Sequence, residues 1–138
     1  MCLIKGSLSI VTRGSFTVSL NILLVEDDAN FRSVMAQAVE ILGYTVTESP
    51  SADHALRALE SQVRFALVIT DVRMPGRLDG LDLVGAIWFR WPELPVIIMS
   101  GNTVLPPGFL PANARFLSKP ADLGTLHGAI DALLREKT

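Results

Sequence analysis

One stretch constrains the fold more than any other: Phe65-Ala66-Leu67-Val68-Ile69-Thr70-Asp71-Val72-Arg73-Met74-Pro75-Gly76. An apolar run of strand length, rich in branched residues, ends abruptly in a carboxylate and then in a turn signal. A strand that apolar is buried on both faces, as in a parallel sheet covered by helices. Its polar end then lies at the carboxyl edge of the sheet, where open α/β folds bind ligands. Asp71 stands at that edge. A lone aspartate after a strand often does no more than cap a turn, so its meaning depends on what else reaches the same edge.

The rest of the chain supplies strands and helices in alternation. Ile22-Leu23-Leu24-Val25 reads as a buried strand ending in Glu26-Asp27-Asp28, followed by a helix with Phe31, Val34, Met35, Ala38, Val39 and Leu42 on its inward stripe and Gly43 at its end. Tyr44-Thr45-Val46-Thr47 is a short strand, and Ser51 caps a helix that turns Ala55, Leu56 and Leu59 inward. Asp79-Gly80 opens a third helix, with Leu83, Val84, Ile87, Trp88 and Trp91 inward and Pro92 closing it. Phe89 falls off that stripe and is a candidate contact residue, although a single exposed aromatic needs no explanation. Pro95-Val96-Ile97-Ile98-Met99 is a strand ending in Ser100-Gly101. Residues 102–113 carry Pro106, Pro107, Gly108 and Pro111, so a regular helix is hard to build there. Ala114-Arg115-Phe116-Leu117 forms the last strand, ending in Ser118-Lys119-Pro120, and a final helix carries Leu123, Leu126, Ile130, Leu133 and Leu134.

Residues 1–20 are the least readable. Alternating apolar positions flank Thr12-Arg13-Gly14-Ser15, which fits a hairpin ribbon and a loose leader equally well. The chain therefore divides into an extension, 1–20, with no assigned role and one domain, 21–138. A length of 138 residues, 49% of them hydrophobic and 19% charged, suits one compact domain. A formal charge of −2 provides no basic footprint for nucleic acid. Cys2 is the single cysteine, which fits a reducing cytoplasm. The first twenty residues are interrupted by Lys5, Gly6, Arg13 and Gly14, unlike a signal peptide or a membrane span. A cytoplasmic protein with no membrane or nucleic-acid partner is expected.

Five strands alternating with helices make a parallel, doubly wound sheet, and right-handed crossovers bring every strand's carboxyl end to one edge. Glu26 and Asp27, Asp71, Ser100 and Lys119 should converge there. Three carboxylates in one pocket repel each other, and Mg²⁺, which takes hard oxygen ligands, relieves the conflict. Lys119 offers a compact positive charge and Ser100 a hydroxyl to phosphoryl oxygens. An aspartate beside a metal can attack phosphorus and form an acyl phosphate. Each residue alone has a plainer reading, as a helix cap, a turn residue or a surface charge. Four of them at successive strand ends are hard to obtain by accident.

With those residues in view, positions 22–135 resemble the receiver domain of bacterial two-component response regulators. The matching residues are Leu23-Leu24-Val25-Glu26-Asp27-Asp28, Ile69-Thr70-Asp71-Val72-Arg73-Met74-Pro75-Gly76, Asp79-Gly80, Ile97-Ile98-Met99-Ser100-Gly101 and Phe116-Leu117-Ser118-Lys119-Pro120. The resemblance implies a flavodoxin-like sheet of order 2-1-3-4-5 and a phosphoryl group taken by Asp71 from a histidine kinase or a histidine phosphotransfer protein. It implies Mg²⁺ on Glu26, Asp27 and Asp71 with the backbone carbonyl of Arg73. Ser100 and Lys119 would contact the phosphoryl group, Phe116 would hold the aromatic switch position, and the Lys119-Pro120 bond would be cis. Arg73 and Asn102, each two residues past a site residue, are candidates for tuning the lifetime of the phosphorylated form. Glu26 replaces the Asp of many members, and the turn from Met74 to Gly80 is one residue longer than the commonest form. The segment after Ser100 is short and proline-rich, so the fourth helix is expected to be short or absent. Nothing follows residue 138, so no output domain is expected and the downstream partner is unnamed, with homodimerisation open.

Other classes fit less well. A metal-dependent phosphohydrolase using an aspartyl phosphate would need a second acid two residues beyond the nucleophile, where this chain has Arg73. An enzyme acting on external substrates is therefore not expected. A flavin or nucleotide module would need a glycine-rich cradle after the first strand, where this chain is acidic. A degenerate receiver serving only as a binding module would not need the intact set of five residues.

Overall fold

The computed structural model describes residues 10–13, 16–72, 80–101, 110–119 and 121–136. In chain order these form β1 (Ile10–Arg13), β2 (Phe16–Ser19), β3 (Asn21–Val25), α1 (Ala29–Ile41), β4 (Thr45–Ser49), α2 (Ala52–Glu60), β5 (Leu67–Asp71), α3 (Gly80–Arg90), β6 (Val96–Ser100), β7 (Ala114–Ser118) and α4 (Leu123–Glu136). Strands β3 to β7 make one parallel sheet in the order β4-β3-β5-β6-β7. Numbered from its own first strand, that is the expected order 2-1-3-4-5. β1 and β2 pair antiparallel, with Ile10 opposite Ser19, so residues 10–13 and 16–19 form the ribbon that the sequence left open beside a loose leader.

The unbroken apolar strands have the reason anticipated for them: both faces are covered. Ile22, Leu24, Leu67, Ile69, Ile97 and Met99 point to one side, against Met35 and Val39 of α1 and Leu126, Ile130 and Leu133 of α4. Leu23, Val25, Val68, Val96 and Ile98 point to the other, against Ala55 and Leu59 of α2 and Leu83, Val84 and Ile87 of α3. Each large side chain so buried contributes about 1.5–3 kcal/mol. The alternation aligns the strand ends, because a slip of one residue would exchange the two faces.

Helix ends follow local chemistry. Asp28 accepts the Phe31 N–H and Ser51 accepts the His54 N–H, which caps α1 and α2. α1 ends at Ile41, and Gly43, two residues on, has a φ of 104° that favours a residue without a Cβ. There the Gly43 N–H donates to Glu40 and the Tyr44 N–H to Val39, satisfying two end carbonyls. Tyr44 is therefore part of a helix cap, and β4 starts one residue later than the sequence suggests.

Two residues assigned to inward stripes are exposed. Val34 is 63% accessible, while Ala36 is buried in its stead. The buried stripe of α1 centres on Met35, Val39 and Leu42, and Val34 lies about 100° around from Met35 on the uncovered flank. Leu123, 43% accessible, opens α4 one turn ahead of the residues that pack on the sheet. Phe89 is exposed, as its position off the stripe implies. Four helices are described, the fourth in chain order being α4. The crossover expected to carry a short or absent helix falls at 102–109, outside the described residues, and residues 110–113 form a bend and a turn. Arg73, the turn length from Met74, Asn102 and the Lys119-Pro120 bond also fall on residues outside the description.

Candidate functional site

The aligned strand ends build the site. β3 delivers Glu26 and Asp27, β5 delivers Asp71, β6 delivers Ser100, and β7 leads into Lys119. The register pairs Asp71 with Met99 and Ser100 with Ser118, so Ser100 stands one step beyond Asp71 on the neighbouring strand. The Lys119 N–H donates to the Ser100 carbonyl at 2.9 Å, which extends the ladder to the lysine. One carboxylate oxygen from each of Glu26, Asp27 and Asp71 lies within 4.8 Å of the others.

Lys119 joins the acids. Its Nζ donates to Glu26 Oε1 at 2.9 Å and to Asp71 Oδ2 at 2.8 Å. The same Nζ sits 4.6 Å from the centre of the Phe31 ring, a cation–π contact from the first turn of α1. The other Glu26 oxygen accepts the Asp28 N–H at 3.0 Å, and Asp71 Oδ1 accepts the Val72 N–H at 2.7 Å. Glu26 is almost wholly buried, whereas Asp27 is open to solvent. Ser100 is buried at the end of β6, and Phe116, partly buried, packs against the core on the face that α2 and α3 cover.

The two partners of the buried ion pair respond differently. Burial works against the charge on Lys119, but its bonds to Asp71 and Glu26 outweigh that cost and raise its pKa above 10.5, so it stays cationic. Burial raises the Glu26 carboxyl above 4.5. The bonds from Lys119 and the Asp28 N–H only partly offset this, and the nearby Asp71 adds to the rise. A carboxyl raised in the fold favours the folded chain below about 4.5, and that contribution is lost as pH climbs through the raised value. Metal-free protein should therefore lose stability relative to Glu26→Gln as pH rises from about 4.5 to neutrality. Urea midpoints in EDTA across that range measure it, and parallel curves for the two proteins would contradict it.

The donor set fits a hard divalent cation. Carboxylate oxygens are what Mg²⁺ selects, and three of them against one ammonium leave an excess of negative charge for it to cancel. Sequence reasoning brought these acids, Ser100 and Lys119 to one edge. It missed Arg32, whose guanidinium reaches the Glu26 carbonyl at 2.7 Å, and Phe31 beneath the lysine. The available signal was their place in the first turn of a helix that starts directly after the acids. A depression of about 800 Å³, lined by Leu59, Val63, Phe65 and Trp91 among others, opens at the opposite edge and is remote from these groups.

A family model, the response regulator receiver domain, matches residues 22–131. The chain belongs to that family. This receiver is 33% identical to the response regulator receiver protein CpdR of Brucella abortus (strain 2308), over 82% of this chain and 95% of that protein. It is 40% identical over 87 residues to the C4-dicarboxylate transport transcriptional regulatory protein DctD of Rhizobium meliloti (strain 1021), over 62% of this chain. The matched part is only 18% of DctD's length. Among solved structures, a response regulator receiver domain protein from Clostridium thermocellum superposes with a TM-score of 0.77 at 30% identity, covering 86% of this chain and 96% of the other. The receiver is thus a phosphoacceptor signalling module of the two-component type. No helix among the described residues is long and apolar enough to cross a membrane.

Proposed function

We propose that this receiver takes a phosphoryl group from a histidine kinase or a histidine phosphotransfer protein onto Asp71, in a Mg²⁺-dependent reaction, and signals through protein contacts. The observation that carries the reading is the Lys119 ammonium bridging Asp71 and Glu26 where three acids meet. An Asp71 carboxylate oxygen attacks phosphorus, the bond from phosphorus to the donor imidazole breaks, and the imidazole leaves with the electron pair. Lys119 neutralises charge on the transferred group, and the Ser100 hydroxyl donates to one of its oxygens. Glu26, Asp27 and Asp71 would hold the ion with the Arg73 carbonyl, and the ion would supply Lewis-acid charge compensation. Phe116 serves as the switch that follows Ser100, and Arg73 and Asn102 tune hydrolysis of the acyl phosphate.

Turnover of external substrates is not part of this reading, since Arg73 stands where a phosphohydrolase needs its second acid. The match to CpdR, over 95% of that protein, supports the receiver reading, in which residues 21–138 are the working domain and residues 1–20 an extension. The reading places it in the cytoplasm without direct nucleic-acid binding. Incubation with acetyl phosphate should add one phosphoryl group by intact mass in Mg²⁺ and none in EDTA. No adduct in Mg²⁺, or equal adduct in EDTA, would overturn the proposal.

A further inference from the structure

Asp27 differs from the other acids. Its carboxylate is exposed and accepts no hydrogen bond among the described residues, yet an oxygen of it lies within 4.8 Å of those of Glu26 and Asp71. A ligand with no side-chain anchor depends on its backbone for aim. That backbone is held on both sides by one residue. The Arg32 guanidinium donates through Nη1 to the Glu26 carbonyl at 2.7 Å, just before Asp27. The Arg32 main-chain N–H donates to the Asp28 carbonyl at 2.8 Å, just after it, in the first turn of α1. Arg32 Nε in turn rests on Glu48 Oε1 at 3.2 Å, and the Glu26 N–H on the Ser49 carbonyl at 3.0 Å, so β4 anchors the assembly.

The geometry points to Arg32 as the positioning residue for Asp27, with Glu48 of the edge strand as its anchor. As a plain surface ion pair, Arg32 and Glu48 would matter little: Glu48 is nearly half exposed, and such pairs contribute weakly. What sets Arg32 apart is where its other nitrogen goes. The Arg32 side chain is 18% accessible, and its planar fork holds a carboxylate and a main-chain carbonyl at once. A lysine offers a single ammonium and cannot span the two in that geometry. The inference rests on the reading that the acids hold Mg²⁺.

The test uses the full chain titrated with MgCl₂ in a calorimeter, together with amide spectra recorded in EDTA. Arg32→Ala should weaken Mg²⁺ binding about tenfold, the low end of what loss of a ligand-orienting group costs. Arg32→Lys and Glu48→Gln should each weaken it less. In EDTA, the Asp27 and Asp28 amides of Arg32→Ala should shift and exchange faster while those of β5 stay unchanged. Asp27→Ala is the control. If wild type fails to bind Mg²⁺, or Asp27→Ala binds as wild type does, the acid-cluster reading falls. If wild type binds and Asp27→Ala does not, while the Arg32 variants bind as wild type whatever their melting temperature, the positioning role falls. Should Arg32→Ala not fold, Arg32→Lys and Glu48→Gln decide between the same outcomes.

Discussion

Asp71→Asn protein incubated with acetyl phosphate and Mg²⁺ should show no phosphoryl adduct, whereas wild type gains one. The amide keeps the size of the carboxylate but has no anionic oxygen with which to form an acyl phosphate. Its effect on the fold should be small. Lys119 keeps its bond to Glu26 at 2.9 Å, and the amide oxygen can still accept the Val72 N–H. The ammonium does lose one of the two carboxylates that raise its pKa, so its pKa should fall in the variant. Melting temperatures within a few degrees of each other would show that loss of the adduct is chemical. An adduct that persists in Asp71→Asn would assign the acceptor role to another residue.

Gly80→Ala should be among the most destabilising single substitutions in this domain. A Cβ on Gly80 would lie 1.7 Å from the Asp71 carbonyl oxygen, 2.7 Å from its carbon and 2.8 Å from Val72 Cα. All three are backbone atoms, so no side chain can swing aside. The Gly80 N–H also donates to the Val72 carbonyl at 2.8 Å, which ties the start of α3 to the end of β5. To admit one methyl, α3 must retreat from the sheet and loosen Leu83, Val84 and Ile87. Overpacking a core costs about 1–3 kcal/mol and more where backbone must move, so we expect roughly 3 kcal/mol. For a domain of this size that lowers the melting temperature by roughly 10 °C. Gly85→Ala is the matched control, since nothing lies within 4 Å of its Cβ. It should stabilise by about 0.5–1 kcal/mol through helix propensity. Equal melting of the two variants would contradict a steric role for the close approach at Asp71.

The parts of this site that were legible in the sequence share one property: each is a polar residue directly after an apolar strand. Such a pattern tells where the strand stops, and a parallel sheet gathers all such stops at one edge. Asp71, Ser100 and Lys119 were readable for that reason. The bridge from Lys119 to Glu26 joins residues 93 apart in the chain, and only the strand order makes them neighbours. Strand order came from family resemblance, because periodicity carries no information about which strands adjoin. Arg32 was passed over because a helical arginine usually reads as a solvated charge, and its target is a main-chain carbonyl that no residue type announces. Val34 was misplaced because an apolar residue on the flank of a stripe has the same identity whether or not another element covers it. In the sequence Gly80 has the look of a helix opener. Its stricter requirement, the approach of one backbone to another, is a distance that no local pattern records.

The ribbon and the last helix bear on how the molecule can be handled. β3 begins at Asn21, five residues and about 16 Å along the strand from the acids, and the ribbon leads into it there. α4 starts just past Lys119 and, packed along the sheet for 14 residues, about 21 Å, runs back toward that same far edge. Both ends of the described domain therefore leave from the side away from Asp71. A fluorophore, a biotin or a bead placed at residue 21 or residue 136 sits away from the carboxylates, and protein tethered there meets a phosphodonor in solution with its reactive edge outward.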